Sequence, residues 1–522
     1  MATFGVPKLP LIANAQNGRP ANGYLKNNTL SIPGWTQGKL NVRLDRIQTK
    51  TPTQEPPNNI YLSAKPHHKS TGDLTNNTEE IEIDEETLRQ IKKKESLSSA
   101  EVSSSYSSDL TPYEMDEIKG YTEVYYWGKG AIKKQGREGL ANNDGYDDEN
   151  GSYLATNRDH LAYRYEIDRQ IGKGAFGQVI QAFDHKNQEF VAVKLIRYDK
   201  KLESQAEEEI RLLKMLQNKA GDKYCGVVTL LDDFWFRRHR CIVFELLGIN
   251  LYELLKKNKN RGFGLEVVAK FAQSILVSLN LLYKMQIVHA DLKPENIMLQ
   301  RFGKPGLKLI DFGCATEHGT IKFTYIMSRF YRAPEIPLGI EYGMPVDMWS
   351  FGCILAELYT GRPLIQGEDG DDQFWAMVEL LGTPPLSVLD KSKRRRYYFT
   401  TKNEPRYCTR EVQPDGSVIL GPGRARTGKL RQPPGKKSLT RVLKDCTSET
   451  FVDFVRRCLE WNPDKRMTPP QAMEHPFLKE YRVTDTPKHL GRRRSMMVPK
   501  LEPIQHPSSP KPWKPTIKVP DS

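Results

Sequence analysis

The run His289-Ala-Asp291-Leu-Lys293-Pro-Glu-Asn296, with Asp311-Phe-Gly313 fifteen residues further on, decides the reading of this chain. It sets two carboxylates, a lysine and an amide in a fixed order that suits phosphoryl transfer. That reaction asks little covalent chemistry of a protein. A nucleophile must be oriented, a hard cation held, and the charge on the moving group offset. In such a scheme Asp291 accepts the hydrogen of a substrate hydroxyl and Lys293 steadies the terminal phosphate. Asn296 and Asp311 supply oxygens to Mg2+. A solvated acidic loop would not carry this ordered set together with what lies upstream.

Upstream, Gly172-Lys173-Gly174-Ala175-Phe176-Gly177-Gln178-Val179 fits G-x-G-x-x-G-x-V. Alone this is weak, because dinucleotide folds share it and an ordinary glycine hairpin can mimic it. A dinucleotide loop opens a helix, whereas Val179-Ile-Gln-Ala-Phe continues here as a strand. Fifteen residues past Val179, Val191-Ala192-Val-Lys194 ends an apolar strand on a lysine, which must snorkel or find anions. There it would bind the α- and β-phosphates of a nucleotide while paired with a helix carboxylate. Residues 203–217 have helical spacing, with Ala206, Ile210, Leu213 and Leu216 or Gln217 on one side. Glu209 is the expected partner and Glu208 the alternative, a surface ion pair being the plainer reading of either.

With these motifs, Ala333-Pro-Glu335, Asp347-Met-Trp-Ser and Arg466 complete a pattern that resembles the eukaryotic protein kinases over residues 165–478. The resemblance implies an α+β fold of two lobes, a small strand-rich one before a larger helix-rich one. It implies ATP as the phosphate donor, with Mg2+ and Mn2+ as its substitute. Ile171 and residues 172–179 would cover the nucleotide together with Ala192 and Lys194. Phe244 would guard the rear of the pocket, and Glu245, Leu246 and Leu247 would meet adenine. Asp291, Lys293, Lys194 and Glu209 form the catalytic set, Asn296 and Asp311 the metal ligands, and Arg466 the partner of Glu335.

A narrower resemblance is to the DYRK family, the dual-specificity tyrosine-regulated kinases, in its second, mostly cytosolic class. Tyr325-Ile-Met-Ser-Arg-Phe-Tyr-Arg-Ala-Pro-Glu335 is similar to that family's activation segment. Tyr146-Asp-Asp-Glu-Asn-Gly-Ser-Tyr153 and Asp159-His-Leu-Ala-Tyr-Arg-Tyr165 resemble its DH box, preceded by an accessory region from about Leu110. Pro405-Arg-Tyr-Cys-Thr409 and Asp415-Gly-Ser-Val418 sit in a matching insertion. The resemblance implies self-phosphorylation of Tyr325, with Arg329 and Arg332 close enough in sequence to clamp the phosphate. It then implies action on serine and threonine of protein substrates, at sites followed by proline and often preceded by arginine. The rival expectation is a pseudokinase scaffold recruiting partners through its tails, against which the retained Lys194, Asp291, Asn296 and Asp311 argue.

Several positions depart from the family pattern. Ala290 stands where kinases have arginine and this family often cysteine. Phe323 replaces the first of a usual tyrosine pair, Met327 a glutamine, and Cys314-Ala315 a serine pair. Pro337 is expected to disturb the helix start after Glu335. Cys314 reads as a small apolar thiol before it reads as an oxidisable one.

The 522 residues are 38% hydrophobic and 27% charged, enough for one large core but not for uniform packing. Residues 1–109 read as a disordered tail, with a short helix over 80–94 and the serine-rich run 96–109 as a linker. Residues 110–164 follow as the accessory region with its DH box, 165–478 as the kinase domain, and 479–522 as a disordered basic tail. The net charge of +14 divides into +1 for residues 1–110, +6 for 482–522 and the rest between. No basic stripe with interleaved aromatics supports nucleic-acid binding. Seven cysteines without zinc spacing suggest reduced thiols in the cytoplasm or nucleus. No run approaches 18 uninterrupted apolar residues, so no membrane span is expected, and the chain is expected to act as a monomer. In the tails, Thr51-Pro, Thr486-Pro and Ser509-Pro read as self-targets. Arg492-Arg-Arg-Ser495 reads as a solvated charge run before a basophilic phosphosite or part of a weak nuclear signal.

Overall fold

A computed structural model describes residues 95–301, 306–320 and 325–481. The helix expected over 80–94, Phe323 and the tail motifs lie outside them. Two reciprocal caps open the described chain. Ser98 Oγ accepts from Glu101 N while Ser98 N donates to Glu101, which starts α1 (Ser99–Ser105). Thr111 and Glu114 repeat the device for α2 (Pro112–Glu117), with Pro112 in the first turn where no N–H is needed. The linker expected over 96–109 is therefore wrong. Ser98 there acts as a cap, and Val102, with Leu110, Ile118, Val124 and Tyr163, forms a small core of its own.

A six-stranded antiparallel sheet follows, made of β1 (His160–Leu161), β2 (Tyr165–Gly174), β3 (Gly177–Asp184), β4 (Glu189–Ile196), β5 (Leu230–Phe236) and β6 (His239–Glu245). Its order is β1-β2-β3-β4-β6-β5. Period-two alternation buries Val191, Val193 and Leu195 of β4 with Ile180, Ala182 and Val243. Helix α3 (Lys200–Ala220) starts at the Asp199 cap and turns Ala206, Ile210, Leu213 and Leu216 inward.

The second lobe begins with α4 (Leu251–Lys257) and α5 (Leu265–Lys284). Among the described residues α5 alone is long and apolar enough to cross a bilayer. Ten of its side chains are buried in the lobe, so it is a core helix. Short antiparallel pairs frame the two catalytic motifs: β7 (Ile287–Val288) with β10 (Thr316–Glu317), and β8 (Ile297–Leu299) with β9 (Leu307–Leu309). Helix α6 (Pro345–Thr360) is buried nearly all round, and α7 (Gly370–Leu381) lies beyond it. The insertion forms two hairpins. The strands β11 (Thr409–Val412) and β12 (Val418–Gly421) pair across a turn held by Ser417 N to Asp415 Oδ1, with Gly416 at φ 80°. The other pair is β13 (Gly423–Arg424) with β14 (Leu430–Arg431), and α8 (Glu449–Cys458) packs on α6. Two lobes, strand-rich then helix-rich, are thus present as expected.

Pro337 does not displace the helix it was expected to disturb. The helix Glu335–Leu338 begins on time and holds Pro337 in its first turn, where the missing N–H has no partner to lose. It stops after one turn at Gly339, whose φ is 66°.

Candidate active site

The phosphate loop is the β2–β3 hairpin. Gly177 has φ 136°, and a side chain there would collide with the Leu195 carbonyl, so this position requires glycine. Phe176, at the tip, lies with its ring 4.6 Å from Lys194 Nζ. The register of β3 on β4 sets Val179 opposite Lys194, and that of β4 on β6 sets Ala192 opposite Phe244. The cleft beneath holds about 620 Å³ and is lined by Ile171, Phe176, Val179, Ala192, Lys194, Phe244, Glu245, Leu246 and Leu247, among others. Glycines 172, 174 and 177, with Lys173, Ala175 and Gln178, make the hairpin without lining the cleft. Gln178 is instead buried, donating to the Tyr153 carbonyl of the DH-box segment at 2.5 Å.

Lys194 meets its carboxylates in full. Its Nζ donates to Glu209 Oε1 and Oε2 at 3.0 and 2.8 Å, and to Asp311 Oδ1 at 3.2 Å. Glu208, the alternative, pairs with Arg211 on the outer face. Burial works against the Lys194 charge, but Glu209 and Asp311 outweigh it and hold the ammonium above its ordinary value. The same lysine pulls the Asp311 carboxyl below its usual range, against burial. Asp311 has φ 62°, a left-handed turn that brings its carboxylate back toward Lys194. Gln205, on the same face of α3 as Glu209, donates to the Gly313 carbonyl and ties the helix to this turn.

The catalytic loop hangs from α6. Asp347, 4% exposed, accepts from His289 N at 2.7 Å and from Ala290 N at 3.0 Å. This fixes Ala290 at φ 64°, fully buried. His289 Nε2 lies 3.0 Å from the Ile310 carbonyl, and its ring packs edge-on against Phe312. Lys293 Nζ donates to Asp291 Oδ2 at 2.5 Å, and Ser328 donates to Oδ1 through both Oγ (2.8 Å) and N (3.1 Å). Asn296 gives its amide N–H to the Asp291 carbonyl at 2.9 Å, which leaves its Oδ1 as an acceptor. Asn296 and Asp311 are thus oxygen donors linked through Ile310, whose N–H donates to the Asn296 carbonyl. An all-oxygen pair of this kind fits Mg2+.

In the activation segment, Tyr325 is 60% exposed and its hydroxyl accepts from Arg332 Nη1 at 2.6 Å. Arg332 also donates to the carbonyls of Ile326 (3.0 Å) and Met327 (2.9 Å). Arg329 does not join it on the unphosphorylated tyrosine. Its Nη1 is bound by the Glu368 carbonyl, and its guanidinium lies over Phe330. Arg466 meets Glu335 in a buried bidentate pair at 2.7 and 3.0 Å. Cys314 is partly buried, and burial pushes its thiol up to about 11, as befits a packed rather than a reactive sulfur.

Residues 165–478 match the family described as the protein kinase domain. The chain is 52% identical over 383 residues to the dual specificity tyrosine-phosphorylation-regulated kinase mbk-2 of Caenorhabditis elegans, covering 73% of this chain and 47% of that one. Against dual specificity tyrosine-phosphorylation-regulated kinase 3 of Rattus norvegicus it is 50% identical over 390 residues, 74% of this chain and 67% of the other. For the Homo sapiens protein of the same name the figures are 51% over 375 residues, 72% and 64%. This chain is a kinase of the DYRK family. It spans about half the length of the nematode relative and about two thirds of the mammalian ones.

Several residues around the site of this DYRK-family kinase carry little signal in the sequence. Ser328 and Gln205 carry no signal beyond their positions, since a serine in a loop and a glutamine on a helix are common. Glu295 and Glu357 are two more. Glu295 follows Asp291 by four residues, and its Oε2 is buried without a hydrogen-bond partner among the described residues. Glu357, on α6, accepts from Tyr331 Oη at 2.7 Å. A second buried carboxylate, after Asp347, on a largely apolar helix was the signal available for it.

Proposed function

We propose that this kinase transfers the γ-phosphate of ATP to serine and threonine of protein substrates after phosphorylating its own Tyr325. The observation that carries the reading is the joined arrangement of Lys194 with Glu209 and Asp311, and of Asp291 with Lys293 and Asn296. A scaffold without catalysis has no need of either. Asp291, oriented by Lys293 and Ser328, would accept the proton of the attacking hydroxyl. Lys194, held by Glu209, would grip the α- and β-phosphates. Asn296 and Asp311 would hold Mg2+, which offsets phosphate charge when bound.

Tyr325 suits self-phosphorylation because its hydroxyl already rests on Arg332. Burial holds that guanidinium below its ordinary value, and among the described residues no carboxylate pairs with it. A phosphate on Tyr325 would supply the counter-charge. Two features support the substrate preference. Met327 sits at φ 69° with its carbonyl bound by Arg332, so it offers no acceptor to the residue after the target. Proline, which has no N–H, loses nothing there. Glu295, near enough to act on the buried Glu357 carboxyl, would with it favour an upstream arginine. Seven free thiols fit a reducing compartment, and the cytoplasm, with the nucleus second, is the one proposed.

The test is phosphosite mass spectrometry of the full chain expressed in bacteria, beside Asp291→Asn. Phosphate on Tyr325 in the first and none in the second is the expected result. Phosphoserine without phosphotyrosine at 325 would remove the self-activation step. No phosphate on soluble, ATP-binding chain would overturn the reading.

A further inference from the structure

Between the insertion and the C-terminal end of α6 lies a second cavity of about 600 Å³, almost the size of the nucleotide cleft. Arg362, Lys429, Arg431, Lys437 and Lys444 reach its wall, and Glu379 is the one carboxylate that lines it with them. Glu379 is heavily engaged. Its Oε2 accepts from Arg431 Nη1 at 3.1 Å and lies 3.9 Å from Lys437 Nζ, while Oε1 accepts from Gln432 N at 2.9 Å. Arg431 is further neutralised by Asp372, behind the wall, at 2.6 and 2.7 Å.

Lys429 and Lys444 are left with neutral partners. Lys429 Nζ reaches the Gln366 carbonyl at 3.3 Å, and Lys444 Nζ the Arg261 carbonyl at 3.3 Å. Among the described residues, neither these nor Arg362 pairs with a carboxylate. Five cations therefore line one hollow with a single carboxylate, Glu379, while Asp372 meets Arg431 from behind the wall. Burial draws the Lys437 ammonium below the ordinary lysine value, and the nearby Arg431 and Lys429 add to the effect against Glu379. Like charges held this close raise the energy of the wall, and a polyanion lowers it.

We propose that this cavity binds a compact polyphosphorylated small molecule through Lys429, Lys437, Lys444 and the guanidinium of Arg362. The volume lies within the range of small-molecule sites, roughly 300–1,000 Å³, and exceeds what one inorganic phosphate fills. Lysines act there as point charges and the arginine as a fork for two phosphate oxygens. Arg362 comes from the loop leaving α6, whereas Lys429 and Lys437 come from the insertion. The ligand consequently ties the insertion to the body of the large lobe.

The experiment is isothermal titration of the full chain with inositol hexakisphosphate at near-physiological salt, with adenosine filling the nucleotide cleft. Binding at one site per chain is expected. Lys429→Gln/Lys437→Gln should weaken it by about tenfold or more, each tenfold being one step of about 1.4 kcal/mol. Arg362→Gln, at an exposed position, should weaken it severalfold and serves if the double variant folds poorly. Lys393→Gln/Arg396→Gln, on the basic run 391–396 elsewhere on the lobe, should leave it unchanged. No binding, or binding weakened equally by the Lys393/Arg396 pair, overturns the proposal. Inorganic phosphate binding as tightly would overturn the assignment to a polyphosphate.

Discussion

At the scale of single residues, the acid pair Glu295 and Glu357 makes the sharpest prediction. Burial pushes the Glu357 carboxyl up to about 7, Tyr331 Oη opposes this, and the neighbouring Glu295 adds to it. Below that value Glu357 is neutral and attracts a cation weakly. An arginine arriving upstream of the target favours the ionised form, so its binding releases a proton. For a peptide with that arginine, KM should fall as pH rises from 6 to about 7 and level off above. The matched peptide with alanine in its place should show no such trend, which separates this effect from a pH dependence common to both peptides. Glu357→Gln should flatten the arginine peptide's profile. Steady-state kinetics across this window would show equal profiles for both peptides if the acid pair does not meet the arginine.

At the scale of elements, α2 is the piece that joins the accessory region to the small lobe. Glu114, on α2 and almost fully buried, accepts four hydrogen bonds: from Thr111 N, Lys133 Nζ, His160 Nε2 and Arg237 Nη2. Arg237 also binds Glu117 and Tyr153 Oη, and its guanidinium lies 3.8 Å from the Tyr146 ring centre. Glu114, Asp159 and His160 are close enough to have held a metal ion. With Lys133 and Arg237 supplying the positive charge, the cluster is an ion network instead. Burial disfavours the Glu114 charge, but His160 and Lys133 outweigh it and hold the carboxyl well below the usual range. A depressed carboxyl stabilises the fold above its unfolded value, near 4.3, and that contribution drains away as pH falls toward the folded value. Glu114→Gln should therefore melt well below the wild type at pH 7, by an amount on the order of 3–5 kcal/mol. The gap should hold down to about pH 5 and narrow below it. Melting curves in which the gap widens in acid would show that the carboxylate does not carry this contact.

At the scale of the whole molecule, legibility followed the reach of each interaction. The glycine loop, Lys194, the catalytic run and the Asp-Phe-Gly turn were readable because each is a local pattern in fixed order. The choice of Glu209 over Glu208 was readable because helical register places only one of them beside buried Ile210. The helix α1 was missed although Ser98-Ser-Ala-Glu101 is a capping signature, since serine-rich composition masked it. Ser328 on Asp291, Arg332 on two carbonyls and the cations around the second cavity could not be read. They depend on chain segments brought together by folding. Arg466 and Glu335, 131 positions apart, were paired through the resemblance alone, and their contact can be tested for what it does. Both side chains are at most 2% exposed, and Arg466 also donates to the carbonyls of Pro345 and Glu460. Removing one partner strands a buried charge and costs about 3–5 kcal/mol, whereas replacing both with apolar groups of similar volume can be neutral. Glu335→Gln should thus lower the melting temperature by several degrees, at roughly 2–4 °C per kcal/mol for domains of 150–250 residues and less for a larger one. Glu335→Leu/Arg466→Met should recover much of that loss while leaving ATP binding intact. If the double variant melts no higher than the single one, the pair does more than neutralise itself. Its bonds to Pro345 and Glu460 then anchor the activation segment to α6 and the loop before Arg466.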